Sequence, residues 1–486
     1  MSVTDRFVRT HLLVLAAVTV VTAWFSYGVF HIDEYYQVVE FARSKLAPAE
    51  VPALPWEHTE RLRPWLQPFL YWCVAKLTGA RDIFVLGFLF RLVTGLANVG
   101  AVALFLRTTL PWQRTPDEAR LHVRVLTLAG FLPYLAVRTS SESAAMASMV
   151  IGYALLFADR EKIATGRALV AGLCFGLAFE FRFQTAFFVV GMLAWVFFHG
   201  TRRALVPVIV GGLVTVALGA LVDRWGYGEW AFPPWNYLRS NVLEGAAGAF
   251  GKEPPFAYFW LDVTNVCGLL ALVLLVVLVV AWIRHPRHPL TWTTLPFFVA
   301  HGLISHKEER FLFPMAVFAL GMVTLATGDT PGRLARVGAF LYARRRNPVL
   351  LVANFVPLVL LALYPIGWNH HVRFVRAMHD RFGDSFHAAV FPEIELTPPP
   401  FHGRELVLEK LDAETLARRI AEGRAPAYLV TDRPDLEDPH LELVWSELPG
   451  TGALHHRLAG WVDAYNASAR PPLRRLRYRT LYRVVP

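Results

Sequence analysis

Long apolar runs alternate with short polar breaks along the chain from Leu12 to about Leu363. A bilayer core about 30 Å thick needs about 20 apolar residues per helix. On that measure, spans are predicted near 11–30, 83–106, 121–137, 141–158, 168–181, 184–199, 205–222, 263–283, 291–305, 310–328 and 349–368. The run 64–79 is apolar but opens on "RPWLQP", which suits an interfacial segment or a further short span. Beyond residue 369 the pattern changes. A helix is predicted at "DAETLARRIAEG" (Asp412 to Gly423), with strands at "AYLV", "LELVW" and "TLYRVV". The expected fold is therefore mainly α. Residues 1–369 form a polytopic transmembrane domain of about eleven spans, and 370–486 form a small soluble α/β domain. The first apolar run carries no small-residue cleavage site and reads as a retained signal anchor.

Composition sharpens this picture. Of 486 residues, 55% are hydrophobic and 18% charged, with a mean hydropathy of +0.39, too apolar for a soluble protein of this length. The three cysteines, Cys73, Cys174 and Cys267, lie in apolar segments, so neither a disulfide framework nor a zinc spacing is present. A net charge of +10 could signal nucleic acid, but the distribution of bases points to topology instead. With the N-terminus inside, the inside loops hold Arg6, Arg9, Arg107, Arg114, Arg120, Arg202, Arg203, Arg284 and Arg287, and 329–347 adds "RRR" at Arg344 to Arg346. Acids at least match bases on the other side. The tail beyond residue 370 then lies outside, and no nucleic-acid partner is expected.

The unusual polar stretches all fall on that outer side. They are "HIDEYYQ" (His31 to Gln37), "LPWEHTERLRPW" (Leu54 to Trp65), "RTSSES" (Arg138 to Ser143), "FEFRFQT" (Phe179 to Thr185), the loop from Asp223 to Trp260, and "SHKEERFLFP" (Ser305 to Pro314). A catalytic bowl opening outward explains this better than a transport path, which would place polar groups deep in broken spans. Asp33 and Glu34 are neighbours, so on a helix they point about 100° apart, and at most one faces a reacting hydroxyl. The same pair also suits a helix N-cap ahead of 34–46, and the pattern leaves both readings open. Lys307 and Arg310, one helical turn apart, suit a phosphate. An ordinary charged turn is the alternative. Arg182, with Glu180 close by, is either a ligand or half of a structural ion pair. The aromatics of 223–260 suit a membrane-interface belt, with a few available to stack on a sugar ring.

These stretches resemble glycosyltransferase family 22, which includes mannosyltransferases of lipid-linked oligosaccharide and glycosylphosphatidylinositol assembly. "HIDEYYQ" is similar to its "HPDEYFQ"-type motif, with Ile32 where proline is common. "LPWEHTERLRPWLQP" keeps Trp56, Glu57, Arg63 and Pro68, and "DRWGYGEWAFPPWNYLRSNVL" and "HKEERFLFP" match further segments in family order. "EFRFQTA" is only loosely like the family's "LRPTA"-type segment. The resemblance implies a GT-C fold with its active site facing away from the cytoplasm. It implies an inverting transfer of mannose from a polyprenyl (or dolichyl) phosphate donor to a hydroxyl of a glycan or glycolipid acceptor. Other lipid-phosphate sugars, such as arabinose or glucose, are the alternative, and a lipid or glycan transporter is the rival of another class. Asp33 matches the family's first-loop carboxylate and, with Glu34, is the catalytic candidate. Lys307, Arg310, His306 and Arg182 are the donor-phosphate candidates. His31, Trp56, Glu57, Arg63, Trp235, Tyr237 and Glu309 are expected to hold the acceptor or support the site. No resident metal or other cofactor is expected, with a divalent cation left open. The expected setting is a bacterial inner membrane with a periplasmic site, or the lumenal side of the endoplasmic reticulum in a eukaryote.

Overall fold

The computed structural model describes residues 5–48, 51, 54–159, 163–246, 248, 251–261, 268–328, 348–363, 369–383, 385–391, 405–432, 436–446 and 479–485. The basic loop 329–347, Cys267 and the sequon at Asn466 lie outside them. The chain divides into two compact units. The first comprises Met1–Ser26, Asp33–Arg81 and Val85–Pro365; the second comprises Tyr27–Ile32, Asp82–Phe84 and Ile366–Pro486.

The first unit is helical. Its elements begin with α1 (Asp5–Phe25), a π turn (Tyr35–Val39), α2 (Glu40–Leu46), α3 (Trp56–Thr59), α4 (Leu66–Thr78) and α5 (Ile83–Thr109). There follow α6 (Pro116–Leu128), α7 (Leu132–Val137), α8 (Ser141–Leu156), α9 (Thr165–Phe181), α10 (Ala186–His199) and α11 (Leu205–Tyr227). The short α12 (Pro233–Leu238) and α13 (Tyr258–Leu261) precede α14 (Gly268–Arg284), α15 (Pro289–Leu303), α16 (Ala316–Gly321) and α17 (Val323–Thr327), and a last helix covers Pro348–Leu363. Among the described residues, three helices are long and apolar enough to cross a membrane: Asp5–Phe25, Ile83–Trp112 and Arg202–Tyr227.

Two predicted spans are not single helices. The run 121–137 breaks between α6 and α7, where a Cβ on Gly130 would come within 2.0 Å of the Asn354 carbonyl oxygen. Asn354 mends the break, accepting the Gly130 N–H at 2.7 Å and donating to the Leu128 carbonyl at 2.5 Å. This is how helix interruptions survive away from water, with a side chain satisfying the freed backbone groups. The run 310–328 begins as a 3₁₀ turn (Glu309–Met315) before α16 and α17. The expected loop from Asp223 also starts later, because α11 continues to Tyr227 and stops at Gly228 in the left-handed region.

Small residues set the closest helix packing. A Cβ on Gly172 of α9 would meet the Val208 carbonyl oxygen at 2.1 Å, and one on Gly211 of α11 would meet the Leu169 oxygen at 2.2 Å. The Thr215 hydroxyl donates across to the Leu173 carbonyl at 3.0 Å. In a membrane there is no hydrophobic drive between helices, so close backbone approach and interhelical hydrogen bonds take over.

The second unit carries a five-stranded sheet of β1 (Ser385–Val390), β2 (Glu405–Lys410), β3 (Tyr428–Thr431), β4 (Leu441–Ser446) and β5 (Thr480–Val484), in the order β2-β1-β3-β5-β4. β1 runs parallel to β2 and β3, while β5 pairs antiparallel with β3 and β4. Alternation along β1 sends Phe386, Ala388 and Val390 to Phe374 and Met378 of the helix Asn369–Phe382, and Ala389 to the cluster containing Leu416 of the helix Ala413–Ala421. The expected helix and three strands are present. β1, β2 and the helix Asn369–Phe382 are additions.

The packing of α9 on α11 yields a prediction. Gly172→Val or Gly211→Val forces a side chain into backbone and should cost about 1–3 kcal/mol or more. Gly100→Ala, where an added Cβ meets nothing within 4 Å, should be neutral or stabilising by up to about 1 kcal/mol. Thermal unfolding of the detergent-solubilised protein checks both.

Candidate active site

Asp33 starts the helical turn after α1, and Arg310 lies in the 3₁₀ turn that follows α15. The Arg310 guanidinium donates to Asp33 Oδ2 at 2.6 Å and, through Nε, to Glu308 Oε2 at 2.5 Å. The other Glu308 oxygen is 2.9 Å from His306 Nε2. Arg310 is 5% exposed, so these contacts form largely out of water. Burial opposes its charge, and the carboxylates of Glu142, Asp33 and Glu308 around it offset that cost. A second buried pair lies beside the first. Arg182 NH2 is 3.4 Å from Glu142 Oε1, and the guanidiniums of Arg182 and Arg310 both lie over the Phe311 ring, at 5.0 and 5.4 Å.

The local backbone explains the arrangement. Glu308 is extended (φ −134°, ψ 144°), and on extended chain residues two apart share a face. Glu308 thus meets His306 on one side and, where the chain passes into the 3₁₀ turn Glu309–Met315, Arg310 on the other. The expected Lys307–Arg310 pairing on one helical turn is not formed. Lys307 is buried and instead donates to the carbonyls of Glu253 (3.1 Å) and Ile304 (2.5 Å), pinning the 251–253 loop. Desolvation lowers its pKa. Arg182 likewise pairs with Glu142 and not with Glu180, which packs against Gly219 of α11.

Asp33 and Glu34 diverge as their adjacency requires. Glu34 is 2% exposed and accepts from the Thr139 hydroxyl at 3.4 Å. The Glu34 side chain does not cap the Tyr35–Val39 turn that follows it. Glu57 accepts from Gln37 at 3.0 Å and lies 3.8 Å from Arg63. Arg63 stands 5.4 Å from the Tyr237 ring centre, and the Tyr237 hydroxyl accepts from Gln184 at 2.7 Å. Gln37, Arg63, Ser141, Arg182, Gln184 and Tyr237 line one narrow cleft, so two expected arginines share it with Tyr237. The buried Nε of Arg63 makes no hydrogen bond among the described residues.

Other expected residues are not brought into that cleft. Trp56 and Trp235 are 48% and 52% exposed and do not line it. Glu309 is half-buried at the start of the 3₁₀ turn. His31 belongs to the stretch Tyr27–Ile32 of the second unit. Glu308 and Glu142, the partners of the two buried arginines, were not among the expected site residues. For Glu308 the signal was available in the i, i+2 spacing of His306, Glu308 and Arg310. Among the described residues, no group of three or more His, Cys, Asp or Glu side chains is placed to hold a metal ion.

A multi-helix membrane scaffold with buried acid–arginine pairs at its loop ends defines a class, and comparison with known proteins places the chain within it. The Alg9-like mannosyltransferase family model matches residues 10–375. The chain belongs to that family, as the motif resemblance implied. It is 26% identical over 295 residues to GPI alpha-1,2-mannosyltransferase 3 of Xenopus laevis, covering 58% of this chain and 53% of that protein. It is 28% identical over 334 residues to GPI mannosyltransferase 3 of Yarrowia lipolytica, covering 67% and 64%. The chain thus spans about half the length of the first curated relatives it matches. In fold it is similar to ArnT from Cupriavidus metallidurans bound to undecaprenyl phosphate, with a TM-score of 0.55, 12% identity, and 98% and 97% of the two chains covered. That likeness bears out the mainly helical GT-C architecture.

Breaking one partner of a buried pair leaves an uncompensated charge, whereas replacing both by apolar groups is often neutral. Glu142→Ala should therefore lower stability by about 3–5 kcal/mol. The Glu142→Met/Arg182→Met double variant should recover most of the loss. Thermal unfolding of the wild type, Glu142→Ala and the double variant reads the difference.

Proposed function

We propose that the protein is an inverting mannosyltransferase that moves mannose from a polyprenyl-phosphate donor to a hydroxyl of a glycan or glycolipid. The observation that carries this reading is the clamp of Arg310 on Asp33 and Glu308, inside the region matched by the mannosyltransferase family. The names of the relatives, GPI mannosyltransferases, support mannose as the sugar and a glycolipid as the acceptor. The undecaprenyl phosphate in the ArnT structure supports a lipid-phosphate donor.

In this reading Asp33, hydrogen-bonded to Arg310, takes the proton of the acceptor hydroxyl. That oxygen bonds to the anomeric carbon as the bond from that carbon to the phosphate oxygen breaks, inverting the centre. The electron pair leaves on the polyprenyl phosphate. Positive groups near the departing phosphate lower the barrier, and general-base help contributes about 10²–10⁴ in rate. Arg182 and Arg63, which line the cleft, are the foremost phosphate partners, and the unpaired Arg63 Nε is a donor waiting for an acceptor. Arg310 completes the charge, and Lys307 adds its own while tying down the loop. His306 orients Glu308, and Glu34 supports the site through Thr139. Glu57, Tyr237 and the exposed Trp56 and Trp235 are assigned to the acceptor sugar, with Glu309 as a support. No resident cofactor is assigned, and chelator treatment should leave the rate within about a factor of two; a larger loss would add a divalent ion to the mechanism.

The membrane domain is assigned about eleven spans, with the basic loops inside. The site and the tail then face the periplasm in a bacterium or the lumen of the endoplasmic reticulum in a eukaryote. Cysteines placed in 329–347 should be labelled only after permeabilisation, and ones in 436–446 from outside. The reverse accessibility would remove the outward-facing site.

The catalytic assignment is tested with purified protein and a panel of polyprenyl-phosphate sugars, including arabinose and glucose, with products identified by mass spectrometry. Mannosyl transfer in detergent also separates an enzyme from a transporter. Asp33→Asn should lower kcat by about 10²–10⁴ with KM nearly unchanged, and Glu34→Gln should act more mildly. Arg310→Lys should fail in part, because a point charge cannot bridge two carboxylates as a planar fork does. Near-normal transfer by the Asp33→Asn/Glu34→Gln variant would move the base elsewhere, with Glu142 and Glu57 next in line.

A further inference from the structure

A groove of about 950 Å³ lies between α1 and α5 and shares no residue with the cleft described above. Its volume is at the top of the range of about 300–1,000 Å³ usual for ligand sites. The floor is apolar, formed by Leu12 and Ala16 of α1 and Val99 and Ala103 of α5. The rim is cationic, with Arg9, Arg107 and Arg114 set against one acid, Asp5. Arg9 and Arg107 are exposed, and neither has an ion-pair or side-chain hydrogen-bond partner among the described residues.

The two flanking helices are each long and apolar enough to cross a bilayer. An apolar slot along such helices faces acyl chains, and arginines just outside the apolar stretches reach the headgroup level. Arginine binds phosphate through charge-assisted, often bidentate hydrogen bonds. Two uncommitted guanidiniums above a hydrocarbon-lined slot therefore match a molecule with a phosphate at one end and acyl chains at the other.

We propose that this groove holds an anionic phospholipid from the leaflet on the side of the basic loops. Its acyl chains lie along Leu12, Ala16 and Ala103, and its phosphate is held by Arg9, Arg107 and Arg114. The lipid clamps the N-terminal half of α1 to α5. α1 is the helix that leads into the Asp33 segment, so the clamp steadies that segment from the far side of the membrane domain.

Native mass spectrometry of the full chain tests this, with phosphatidylglycerol and phosphatidylcholine of identical acyl chains supplied in equal amounts. Phosphatidylglycerol should be retained preferentially. The Arg9→Gln/Arg107→Gln variant should weaken its retention roughly thirtyfold, from the attraction of each basic residue for anionic lipid. Ala103→Trp, which fills the slot and leaves the charges, should also displace it, while Arg310→Gln should not. Equal retention of the two lipids overturns the proposal. So does phosphatidylglycerol retention untouched by both groove variants, or retention abolished by Arg310→Gln, which would put the lipid in the reaction cleft instead.

Discussion

The Arg310 guanidinium, buried between Asp33 and Glu308, is the contact on which the site depends. It joins two segments 277 residues apart in sequence. A cation out of water is tolerated only with partners of good geometry, and the two hydrogen-bonded carboxylates supply them. The requirement runs both ways. The exit of α1 must deliver Asp33 to the same place to which the segment after α15 delivers Glu308 and Arg310. Any shift of either segment would strand a charge, so the pair fixes the geometry of the candidate site while the surrounding helices supply the rigidity.

That rigidity comes from close backbone approach more than from side-chain bulk. Gly172 on α9 and Gly211 on α11 bring carbonyl oxygens to within the space a methyl group would fill. α9 ends at Phe181, immediately before Arg182, so its packing on α11 also sets where Arg182 meets Glu142 at the start of α8. Polar groups inside the scaffold are handled in the same economical way. Arg138, fully buried, donates to the Ser26 carbonyl at 3.1 Å and lies over the Tyr134 ring at 4.3 Å. Gln67 donates to the Thr139 carbonyl at 3.0 Å. Each satisfies a backbone group at a loop end where water cannot be relied on.

The segment "SHKEERFLFP" shows what pattern reading can and cannot deliver. Its density of charge between apolar spans marks it as a candidate site, and the helical period pairs Lys307 with Arg310. The chain is extended at Glu308 and enters a 3₁₀ turn at Glu309, so Glu308 meets both His306 and Arg310 while Lys307 turns to backbone carbonyls. The same holds for Arg182, whose nearest acid in sequence, Glu180, faces α11 while Glu142 on α8 takes the ion pair. Proximity along the chain is a poor guide to partnership wherever a helix ends, because one residue past the end can point in any direction.

Apolar run length and the density of charge at loop ends are local properties, and they were enough to establish a multi-helix membrane protein and most of its helices. The ordered motifs from His31 to Pro314 were enough to place it in its family. The break between α6 and α7, invisible in hydropathy, depends on Asn354, which lies more than two hundred residues downstream and answers the freed backbone groups. The partners of Asp33, Arg182 and Lys307, and the cleft that unites Arg63, Arg182 and Tyr237, likewise came only from the tertiary structure. Local free energies choose helix or strand from neighbouring residues. The pairing of buried charges is decided by which distant groups the packed helices bring within hydrogen-bond reach, where solvent can no longer stand in for a missing partner.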